Sequence, residues 1–448
     1  MKIFKVGLVG VTGYTGMELA RLLASHPRMK LEMACSRTES GLRLGEFYPF
    51  LEGLPGSDVV ISIFDAKEAA RRCDLVFLAV PHGKAMEMAG ELLEAGTRVI
   101  DLSADFRLRD VNVYEDWYVP HTRRELLPEA VYGLPELYAA ETAKARLVAN
   151  PGCYPSSAIL GLYAAFKHGL ISPDNIVIDS KSGTSGAGRK PVVPSLFCEV
   201  YDTFRAYGLG KHRHTPEIEQ EYSRAAGCDV RVSFNPHLVP MVRGILSTIY
   251  TPLRKPGTTL DEVHAAYCET WAQSPWVRVL PKGKLPETRF VRGSMFCDLG
   301  LVVDPRTNRL IVVSAIDNLC RGASGQALAN ANLMWGLPVD TGLERLAPAR
   351  GLRPQRRAHA ALAEACHVPE LSLSGPRALP RPAGPPANGP GRPRAALHGS
   401  LRHAHRVHLP ERPAFPAAQG GHAPVRAGLP RLRHPRRRSG RLPRSGRS

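Results

Sequence analysis

The chain has 448 residues, enough for two or three domains, and a formal net charge of +18 that is unevenly distributed. Residues 346–448 carry 20 arginines and three acidic residues, a net of +17, which leaves about +1 for residues 1–345. The main body is therefore electrostatically ordinary, and residues 1–345 are not expected to bind nucleic acid. No apolar run in it reaches the roughly 20 residues of a membrane span.

The nine cysteines are widely scattered and never form a Cys-x-x-Cys pair. This spacing argues against a disulfide framework and against a zinc site, so no metal is expected. The N-terminus begins a strand at once, without an apolar leader. Together these features predict a protein of the reducing cytoplasm with no membrane attachment.

The first predicted strand, residues 3–9, runs into a glycine-rich turn and then into a helix over residues 17–24. The turn has the spacing Gly-x-x-Gly-x-x-Gly, a variant of the dinucleotide-binding fingerprint, in which glycines let the backbone approach a pyrophosphate at a helix N-terminus. The strand before it and the helix after it are the context that this fingerprint requires. The residues predicted to bind the cofactor here are Gly10, Thr12, Gly13, Tyr14, Thr15 and Gly16.

The next predicted strand, residues 30–35, ends in Ser36 and Arg37, about 20 residues past the fingerprint. An acidic residue at this position selects NAD by binding the ribose 2′-hydroxyl, whereas a hydroxyl and a guanidinium predict NADP. Two alternatives stay open. In the first, Arg37 is a solvated loop residue without a role in binding. In the second, Glu32 or Glu39 supplies the acidic residue that selects NAD.

Further strands are predicted at residues 59–62, 74–80 and 97–103, the last two separated by a helix. Near-continuous apolar strands alternating with helices predict a parallel sheet covered on both faces, whose ligands bind at the carboxyl ends of the strands. Pro81 and His82 follow one such end. We expect them to line the cofactor pocket rather than to act as acid or base.

Arg107 lies in the loop after the last of these strands. Its guanidinium is suited to clamp an anionic substrate. A structural ion pair with Asp105 or Asp110 explains the same residue equally well, and both interpretations stay open.

Cys153 follows a predicted strand end at residues 147–149 and the backbone break at Pro151 and Gly152, and it precedes a helix whose first turn is predicted at residues 155–157. A thiol at the positive end of a helix dipole has a lowered pKa, which favours the nucleophilic thiolate. The pattern therefore predicts a catalytic cysteine. The alternative is a small buried hydrophobic residue beside a loop.

A strand predicted at residues 176–181 runs into the loop 182–190. The loop combines small residues, free backbone amides and two cations, Arg189 and Lys190, which suits a phosphate or a carboxylate. A flexible connector is the competing interpretation.

His214 stands just before a predicted helix, with Thr215 as its cap and Pro216 in its first turn. In this position the imidazole is free to point into a cleft and to act as the general acid and base for Cys153. A metal shared with His212 is disfavoured, because no cysteine or carboxylate cluster completes a site.

Strands at residues 229–234, 244–251, 298–303 and 310–316 suggest a mixed sheet whose face builds a subunit contact. Arg243 either binds a substrate carboxylate or bridges structural elements. The last predicted helix, which begins after residue 317, is expected to pack back on the first domain.

Three motifs together resemble the N-acetyl-gamma-glutamyl-phosphate reductase family of arginine biosynthesis, namely Asn-Pro-Gly-Cys-Tyr-Pro at 150–155, Ser-Gly-Thr-Ser-Gly-Ala-Gly-Arg at 182–189 and His-Arg-His-Thr-Pro-Glu-Ile at 212–218. The glycine turn at 10–16 and Gly-Ala-Ser-Gly-Gln-Ala at 322–327 agree with it. The resemblance covers about residues 1–345. Ser156 stands where the family more often has threonine, which keeps the hydroxyl.

The resemblance implies an α/β fold of the semialdehyde dehydrogenase type, with a Rossmann-type doubly wound parallel sheet and a second α/β domain with a mixed sheet. The implied NADP-binding domain is residues 1–150, completed by a C-terminal helix at 319–345. Residues 151–318 are implied to carry catalysis and oligomerisation. A homodimer or homotetramer is expected.

The implied reaction is the NADPH-dependent reduction of N-acetyl-glutamyl 5-phosphate to N-acetylglutamate 5-semialdehyde with release of phosphate. Cys153 is implied to displace phosphate and form a thioester, which hydride then reduces, while His214 stabilises or protonates the intermediates. Additional cofactor contacts are assigned to Ser182, Gly183 and Asn318. Substrate contacts, with the individual arginine roles left open, are assigned to Arg107, Asn150, Tyr154, Ser185, Gly186, Arg213 and Arg243.

One alternative is the same chemistry on the aminoadipyl analogue of lysine synthesis, whose extra methylene is worth only about 1–3 kcal/mol of discrimination. A second concerns residues 346–448, whose composition of 20 arginines, 17 prolines and eight histidines cannot bury a core. This tail is predicted to be disordered. It is either an arginine-rich nucleic-acid-binding extension or, as we favour, the product of a GC-rich gene read out of frame.

Overall fold

Two seven-stranded sheets organise residues 2–343, the part of the chain that the computed structural model describes. The predicted arginine-rich tail at 346–448 lies outside the described residues, as do the last two positions of the helix predicted at 319–345. No helix within residues 2–343 combines the length and apolar character needed to cross a membrane.

The first sheet is entirely parallel, with the strand order β3-β2-β1-β4-β5-β7-β6. Its strands are β1 (Phe4–Val9), β2 (Met29–Cys35), β3 (Ile61–Ser62), β4 (Leu75–Leu78), β5 (Arg98–Asp101), β6 (Val131–Tyr132) and β7 (Leu147–Ala149). Its helices are α1 (Tyr14–Leu23), α2 (Leu44–Phe47), α3 (Ala66–Arg72), α4 (Ala85–Glu94), α5 (Val111–Trp117) and α6 (Pro135–Lys144).

The strand order of this sheet reverses direction at β1, which pairs with β2 on one side and with β4 on the other. The carboxyl ends of β1 and β4 therefore flank a crevice of the kind that binds dinucleotides in Rossmann-type sheets. The strand predicted at 59–62 is only two residues long, Ile61–Ser62; Val60, just before it, is exposed and forms an isolated antiparallel bridge with Arg43.

The second sheet is mixed, with the order β12-β13-β14-β11-β8-β10-β9; β8 runs parallel to β10 and β12 to β13, while the other pairs are antiparallel. Its strands are β8 (Ile176–Gly183), β9 (Arg205–Ala206), β10 (Val232–Val239), β11 (Ile245–Pro252), β12 (Val277–Val279), β13 (Cys297–Asp304) and β14 (Arg309–Ile316). The helices of this half are α7 (Cys153–Lys167), α8 (Phe197–Val200), α9 (Thr215–Ala226), α10 (Leu260–Trp271), α11 (Thr288–Val291) and α12 (Gly325–Met334).

Helix α7 is the central packing element of the second half. Twelve of its 15 residues are buried, because it is apolar almost all round and packs on the sheet through contacts that include Ile159, Ile249 and Val312. This packing holds the first residue of the helix, Cys153, at the boundary between the two sheets. The helix begins at Cys153, two residues before the first turn that was predicted at 155–157.

Helix α12 returns to the first sheet. Leu328 and Met334 belong to the same hydrophobic cluster as Phe4 and Leu8, and Trp335 stacks on Phe4 with ring centroids 4.1 Å apart. The expected packing of the chain end on the first half is therefore seen as far as residue 343.

Candidate active site

A cavity of about 1070 Å³ opens between the carboxyl ends of the first sheet and the loop that follows β8. The predicted site residues that line it are Gly10, Thr12, Gly13, Tyr14, Thr15, Ser36, Arg37, Pro81, His82, Arg107, Cys153, Ser185, Gly186, Arg213, His214 and Asn318. The structure thus brings together residues that are up to 308 positions apart in the sequence, Gly10 and Asn318 being the most distant of them.

The three glycines of the first loop have different roles. Gly10 has φ +87°, and a Cβ there would lie 2.2 Å from the carbonyl oxygen of Ala79, while a Cβ on Gly16 would lie 2.3 Å from the oxygen of Gly10. These two positions tolerate only glycine. A Cβ on Gly13 would meet nothing nearer than 3.6 Å, so the middle glycine leaves the cavity floor bare where α1 begins.

Ser36 and Arg37 stand at the carboxyl end of β2, beside this floor. The Oγ of buried Ser36 lies 3.2 Å from Oγ1 of Thr12, while Arg37 is exposed. Of the two acidic alternatives, Glu39 lines the cavity, whereas Glu32 is directed elsewhere and pairs with Lys30 and Arg72.

His82 is held in the cavity wall as a neutral ring. Its Nδ1 accepts the amide hydrogen of Ala104 at 2.9 Å, which leaves the proton of the neutral ring on Nε2. Burial lowers the pKa of His82 to about 3, and the positive charges of Arg107 and Arg213 add to this effect. The ring is therefore uncharged at neutral pH.

Cys153 is half-buried as the first residue of α7. Burial raises the pKa of its thiol to about 11, while the amide of Tyr154 and the charge of Arg107 act in the opposite direction and offset only part of the effect. The expectation of a lowered pKa is therefore wrong for this chain without ligands. The helix terminus acts in the predicted direction, but burial outweighs it.

The backbone beside Cys153 is packed closely. A Cβ on Gly322, in the π-helical turn Cys320–Ser324, would lie 2.6 Å from the Cβ of Cys153. Because such a contact is too short for two carbons, this position requires glycine. The turn before α12 thus forms part of the wall behind the thiol.

His214 lies on the other side of the same backbone, as the residue that caps α9; the helix begins at Thr215, so Thr215 is not the cap that was predicted. Nε2 of His214 would be 2.7 Å from a Cβ on Gly152, which places the ring beside the residue preceding Cys153. Its Nδ1 is buried without a hydrogen-bond partner. Burial and then the neighbouring His212 and Arg107 hold the pKa of His214 well below its usual value, so the imidazole is neutral, with a free nitrogen lone pair, but is a weaker base than an ordinary histidine.

Glu217 connects these groups, although its role was not predicted. Its buried carboxylate accepts hydrogen bonds from the Gly152 amide and the Tyr132 hydroxyl, each at 2.8 Å, and pairs with Arg107 at 3.4 Å. Its position in the first turn of α9, one turn after His214, was the only available signal, and many exposed acids share that position.

Arg107 is buried at the cavity wall with its orientation fixed by the chain. Its Nε donates to the oxygen of Asn150 at 2.7 Å and its Nη2 to the oxygen of Leu102 at 2.9 Å. Arg107 does form an ion pair, but with Glu217 rather than with Asp105 or Asp110, the two partners that the sequence leaves open. Asp105 instead accepts the amides of Gly83 and Ala85 and orders the loop that carries His82.

Three predicted substrate contacts do not line the cavity. Arg243 is occupied by Glu18 at 3.0 Å and Asp317 at 2.8 Å, so it bridges α1 and the end of β14. The side chain of Asn150 donates to Ala323 and accepts from Asn330, both at 3.2 Å.

Tyr154, the third of these residues, is buried and bonds through its hydroxyl with Tyr207 and with the oxygen of His237. Each of the three side chains is occupied by protein partners. A ligand contact would require these bonds to be exchanged.

The loop after β8 contributes less than predicted. Ser185 and Gly186 line the cavity, and Asn318 donates to Oγ of Ser185 at 3.0 Å while accepting the Gly244 amide at 2.8 Å. Ser182 and Gly183, predicted as cofactor contacts, lie in the final residues of β8 and do not line the cavity. Only glycine fits at position 183, because a Cβ there would lie 2.8 Å from the oxygen of Val242.

The charged side chains of the described residues that line the cavity are mostly cationic. Glu39 is the one acid among them, and the cations are Arg37, Lys84, Arg107, Arg189, Lys190 and Arg213. Arg189 also donates to the oxygen of Thr12 at 2.8 Å and so joins the two glycine-rich loops. Such a wall favours ligands with several phosphates or carboxylates. Within residues 2–343 no group of three or more His, Cys, Asp or Glu could hold a metal ion.

Comparison with known families matches both halves of the chain. Residues 5–145 match the NAD-binding domain of semialdehyde dehydrogenases, and residues 153–318 match the semialdehyde dehydrogenase dimerisation domain. The chain thus carries an NAD-binding domain in the half that contains the glycine fingerprint.

Solved structures show the same fold. Aspartate semialdehyde dehydrogenase II from Vibrio cholerae and aspartate semialdehyde dehydrogenase with NADP from Candida albicans each align with a TM-score of 0.57 at 16% identity, over 75% of this chain and 99% of theirs. At this identity the likeness concerns the fold alone.

Two curated relatives are much more similar in sequence. The N-acetyl-gamma-glutamyl-phosphate reductase of Desulfotalea psychrophila is 51% identical, and that of Desulforudis audaxviator 52% identical, each over 76% of this chain and 98% of the relative. An identity of this size across nearly the full length of both relatives shows that the chain is an enzyme of the N-acetyl-gamma-glutamyl-phosphate reductase family.

Proposed function

We propose that this enzyme uses NADPH to reduce N-acetyl-glutamyl 5-phosphate to N-acetylglutamate 5-semialdehyde, releasing phosphate through a thioester on Cys153. One observation carries the proposal: a thiol and a neutral imidazole share one wall of a cation-rich cavity whose other wall is a dinucleotide fingerprint. The names of the curated relatives support the glutamyl substrate over its aminoadipyl analogue.

The cavity fits a dinucleotide at the fingerprint. Gly13 leaves the floor bare at the N-terminus of α1, where backbone amides stabilise a pyrophosphate. Ser36 and Arg37 are positioned to hold a ribose 2′-phosphate, and this supports NADP over NAD. Pro81, His82 and Asn318 are proposed to contact the remainder of the cofactor. When bound, it supplies the hydride that reduces the thioester to the aldehyde.

The first step of the proposed reaction is a proton transfer. We propose that His214 takes the proton of the Cys153 thiol, after which the thiolate attacks the acyl carbon of the substrate. The resulting tetrahedral oxyanion collapses with cleavage of the bond between carbon and phosphate oxygen, and inorganic phosphate leaves. After reduction, the protonated His214 returns its proton to the departing thiolate.

The anionic groups of the substrate are proposed to meet Arg107 and Arg213. Arg107 is preorganised by its bonds to the backbone, which reduces the cost of ordering when the phosphate binds. Arg213 is exposed and free to adjust. Its guanidinium carbon lies over the Tyr118 ring, 5.5 Å from the ring centroid. Ser185 and Gly186 lie on the facing wall.

The two sheets correspond to two proposed functional domains. We propose that residues 1–150, with the chain end from residue 319, bind the cofactor, and that residues 151–318 carry catalysis and assembly into a homodimer or homotetramer. The dimerisation-domain match supports the second assignment. The scattered cysteines support work in the reducing cytoplasm.

The test uses the full chain and compares Cys153→Ser with Cys228→Ser, which removes an exposed thiol remote from the cavity. With the acyl phosphate, the wild type and Cys228→Ser are expected to consume NADPH and release phosphate in equal amounts. Cys153→Ser is expected to lose this turnover while keeping its NADPH affinity. Turnover by Cys153→Ser at the wild-type rate would refute the covalent mechanism, and faster turnover of the aminoadipyl phosphate would refute the substrate assignment.

A further inference from the structure

Arg243 and two buried carboxylates form an ion-pair cluster outside the cavity, and the proposed reaction leaves this cluster without a role. The guanidinium forms a fork with Glu18, from Nη1 to Oε2 and from Nη2 to Oε1, each at 3.0 Å. Its Nη2 also donates to Oδ1 of Asp317 at 2.8 Å. The carboxylate side chains are 2% and 0% exposed, so one cation satisfies two buried anions at the same time.

The two carboxylates belong to different halves of the chain. Glu18 lies in α1, two residues after Gly16, the last glycine of the fingerprint. Asp317 follows the end of β14, and Arg243 lies in the turn between β10 and β11. The arginine therefore ties the helix at the cofactor end of the cavity to the second sheet. A two-pronged arginine contact fixes the angle between the groups it joins as well as their distance.

Asp317 also holds the chain that forms the wall behind the thiol. Its Oδ1 accepts the amide of Leu319 at 2.9 Å and the amide of Cys320 at 2.8 Å, which orders the start of the π-helical turn. Its Oδ2 accepts the amide of Gly293 at 2.7 Å. The carboxylate that Arg243 binds is thus the one that fixes where this turn begins.

The same turn is joined to α1 a second time. The Oγ of Ser324, its last residue, donates to the oxygen of Thr15 at 2.8 Å. Thr15 lines the cavity within the fingerprint, whereas Gly322 of the turn packs against Cys153. Contacts between α1 and this turn therefore set the position of the fingerprint relative to the thiol.

A second arginine allows the charge of the cluster to be separated from its linking role. Burial acts to raise the pKa of Glu18, but hydrogen bonds from Arg21 and Arg243 outweigh burial and lower the pKa, so the carboxylate stays ionised. Arg21 pairs with Glu18 at 2.7 Å but lies on the same helix. It neutralises the carboxylate without joining the two halves of the chain.

We propose that Arg243 is a positioning residue for hydride transfer: by joining α1 to the turn after β14, it holds the bound cofactor at reacting distance from the thioester on Cys153. In that step the acyl carbon gains a hydride from NADPH, leaving NADP⁺, and its bond to sulfur breaks to give the aldehyde and the thiolate. A misplacement of about 1 Å can cost roughly 100-fold in rate. The inference rests on the proposed function, in which thioester formation needs no cofactor and so does not depend on Arg243.

The first test compares Arg243→Met with Arg21→Met in the full chain and follows the two half-reactions separately. Without NADPH, both variants are expected to release phosphate in a single turnover at the wild-type rate, with Cys153→Ser as the blank for spontaneous hydrolysis. When saturating NADPH is then added to the thioester, its oxidation is expected to slow by roughly tenfold or more in Arg243→Met alone.

An isotope effect distinguishes positioning from a loss of stability. With NADPH deuterated at the transferred position, kcat of Arg243→Met should show the full primary isotope effect, because hydride transfer then limits turnover. Loss of folded protein would lower the active fraction and leave the isotope effect at its wild-type value. Equal rates of NADPH oxidation in Arg243→Met and Arg21→Met would overturn the proposal, and so would a matching fall in phosphate release.

Arg243→Lys keeps the proposal testable if the methionine variant does not fold. A lysine retains the positive charge between the two carboxylates but lacks the fork that binds both of them. This variant is expected to release phosphate at the wild-type rate and to oxidise NADPH several-fold more slowly. Oxidation at the wild-type rate would contradict the proposal.

A second measurement needs no acyl phosphate. Saturating NADPH is expected to slow the alkylation of Cys153 by iodoacetamide in the wild type and in Arg21→Met, because the bound cofactor reaches the thiol wall. In Arg243→Met the protection should be weaker, although a fluorescence titration shows that NADPH is bound. Equal protection in the three proteins, or none in the wild type, would overturn the proposal.

The two measurements separate this inference from the proposed function. A wild type that neither releases phosphate from the acyl phosphate nor oxidises NADPH with it would refute the proposed function. The alkylation result would still decide whether Arg243 aligns the bound cofactor with the thiol.

Discussion

The two walls of the cavity are built in different ways. The fingerprint loop of the dinucleotide wall comes from one continuous stretch, Gly10 to Gly16, whose shape is set by backbone geometry at its outer glycines. The thiol wall is assembled from four distant segments that contribute Arg107, Cys153, His214 and Gly322. The first is a local structure, while the second exists only once the whole chain has folded.

The walls also differ in how they carry charge. Arg37 and Lys190 are exposed cations with fixed charge, suited to binding anions. Cys153 and His214 are instead kept neutral, the thiol with a pKa raised to about 11 and the imidazole with its pKa held well below the usual value. The dinucleotide wall therefore carries fixed positive charge, whereas the thiol wall combines one fixed cation, Arg107, with two reactive groups that are uncharged.

The largest effect is expected when the proton acceptor of the thiol wall is removed. His214→Ala should lower kcat by roughly 10²–10⁴-fold, the usual contribution of a positioned acid and base. His168→Ala is the matched control, because that histidine lies at the far end of α7 and bonds Thr270. Steady-state kinetics with saturating NADPH measures both, and a fall of less than threefold for His214→Ala would remove this residue from the mechanism.

A second prediction concerns the pH dependence of the thiol. With a pKa of about 11 and an ordinary value of 9.0, the Cys153 thiolate at pH 8 should be roughly 100-fold scarcer than that of an ordinary cysteine. Because the raised pKa favours the protonated form, alkylation of Cys153 without ligands should accelerate about tenfold per pH unit up to about 11. Peptide mass spectrometry resolves Cys153 from Cys228, and an inflection below pH 9 at Cys153 would contradict the burial effect.

Alanine at one glycine of each wall should separate folding from binding. Gly322→Ala places a Cβ 2.6 Å from that of Cys153 and should destabilise the fold by about 1–3 kcal/mol. Gly13→Ala meets nothing nearer than 3.6 Å, so stability should be unchanged while the methyl group weakens NADPH binding. Thermal unfolding and NADPH titration of both variants check this, and equal melting temperatures would show that the thiol wall is less tightly packed than described.

The smallest effect is expected for cofactor selectivity. Arg37→Ala should reduce the preference for NADPH over NADH by about tenfold, or ~1.4 kcal/mol, because one charged contact to the 2′-phosphate is lost. Arg71→Ala, which removes an exposed arginine outside the cavity, should leave the ratio unchanged. The ratio of kcat/KM for the two cofactors is the measurement. An unaltered ratio in Arg37→Ala would mean that Arg37 is a solvated loop residue.

The same contrast explains what could be predicted from the sequence. The parallel strands, the fingerprint and the turn before α7 follow from periodicity and from glycine or proline at particular positions, which are local properties. Arg243 was assigned to substrate because its chemistry suits a carboxylate, but its partners Glu18 and Asp317 are 225 and 74 residues away. The role of Glu217 was not predicted for the same reason, since that role depends on the residues that Glu217 contacts in the folded chain.

The thiol pKa shows a further limit. The position of Cys153 at a helix start was predictable from the motif, and the helix amide does favour the thiolate. How closely Cys153 is packed depends on the start of α9 and on the π-helical turn, neither of which is encoded near residue 153. The direction of the net shift could not be obtained from local sequence.

The return of α12 to the first sheet affects the order in which the chain folds during synthesis. The cluster that unites Phe4 and Leu8 with Leu328 and Met334 cannot close until residue 334 has left the ribosome. At roughly 5–20 residues per second, β1 must wait on the order of 16–65 s for that partner. During this interval the nascent first half presents an uncovered apolar face, so its yield in cells should depend on chaperones that protect such faces.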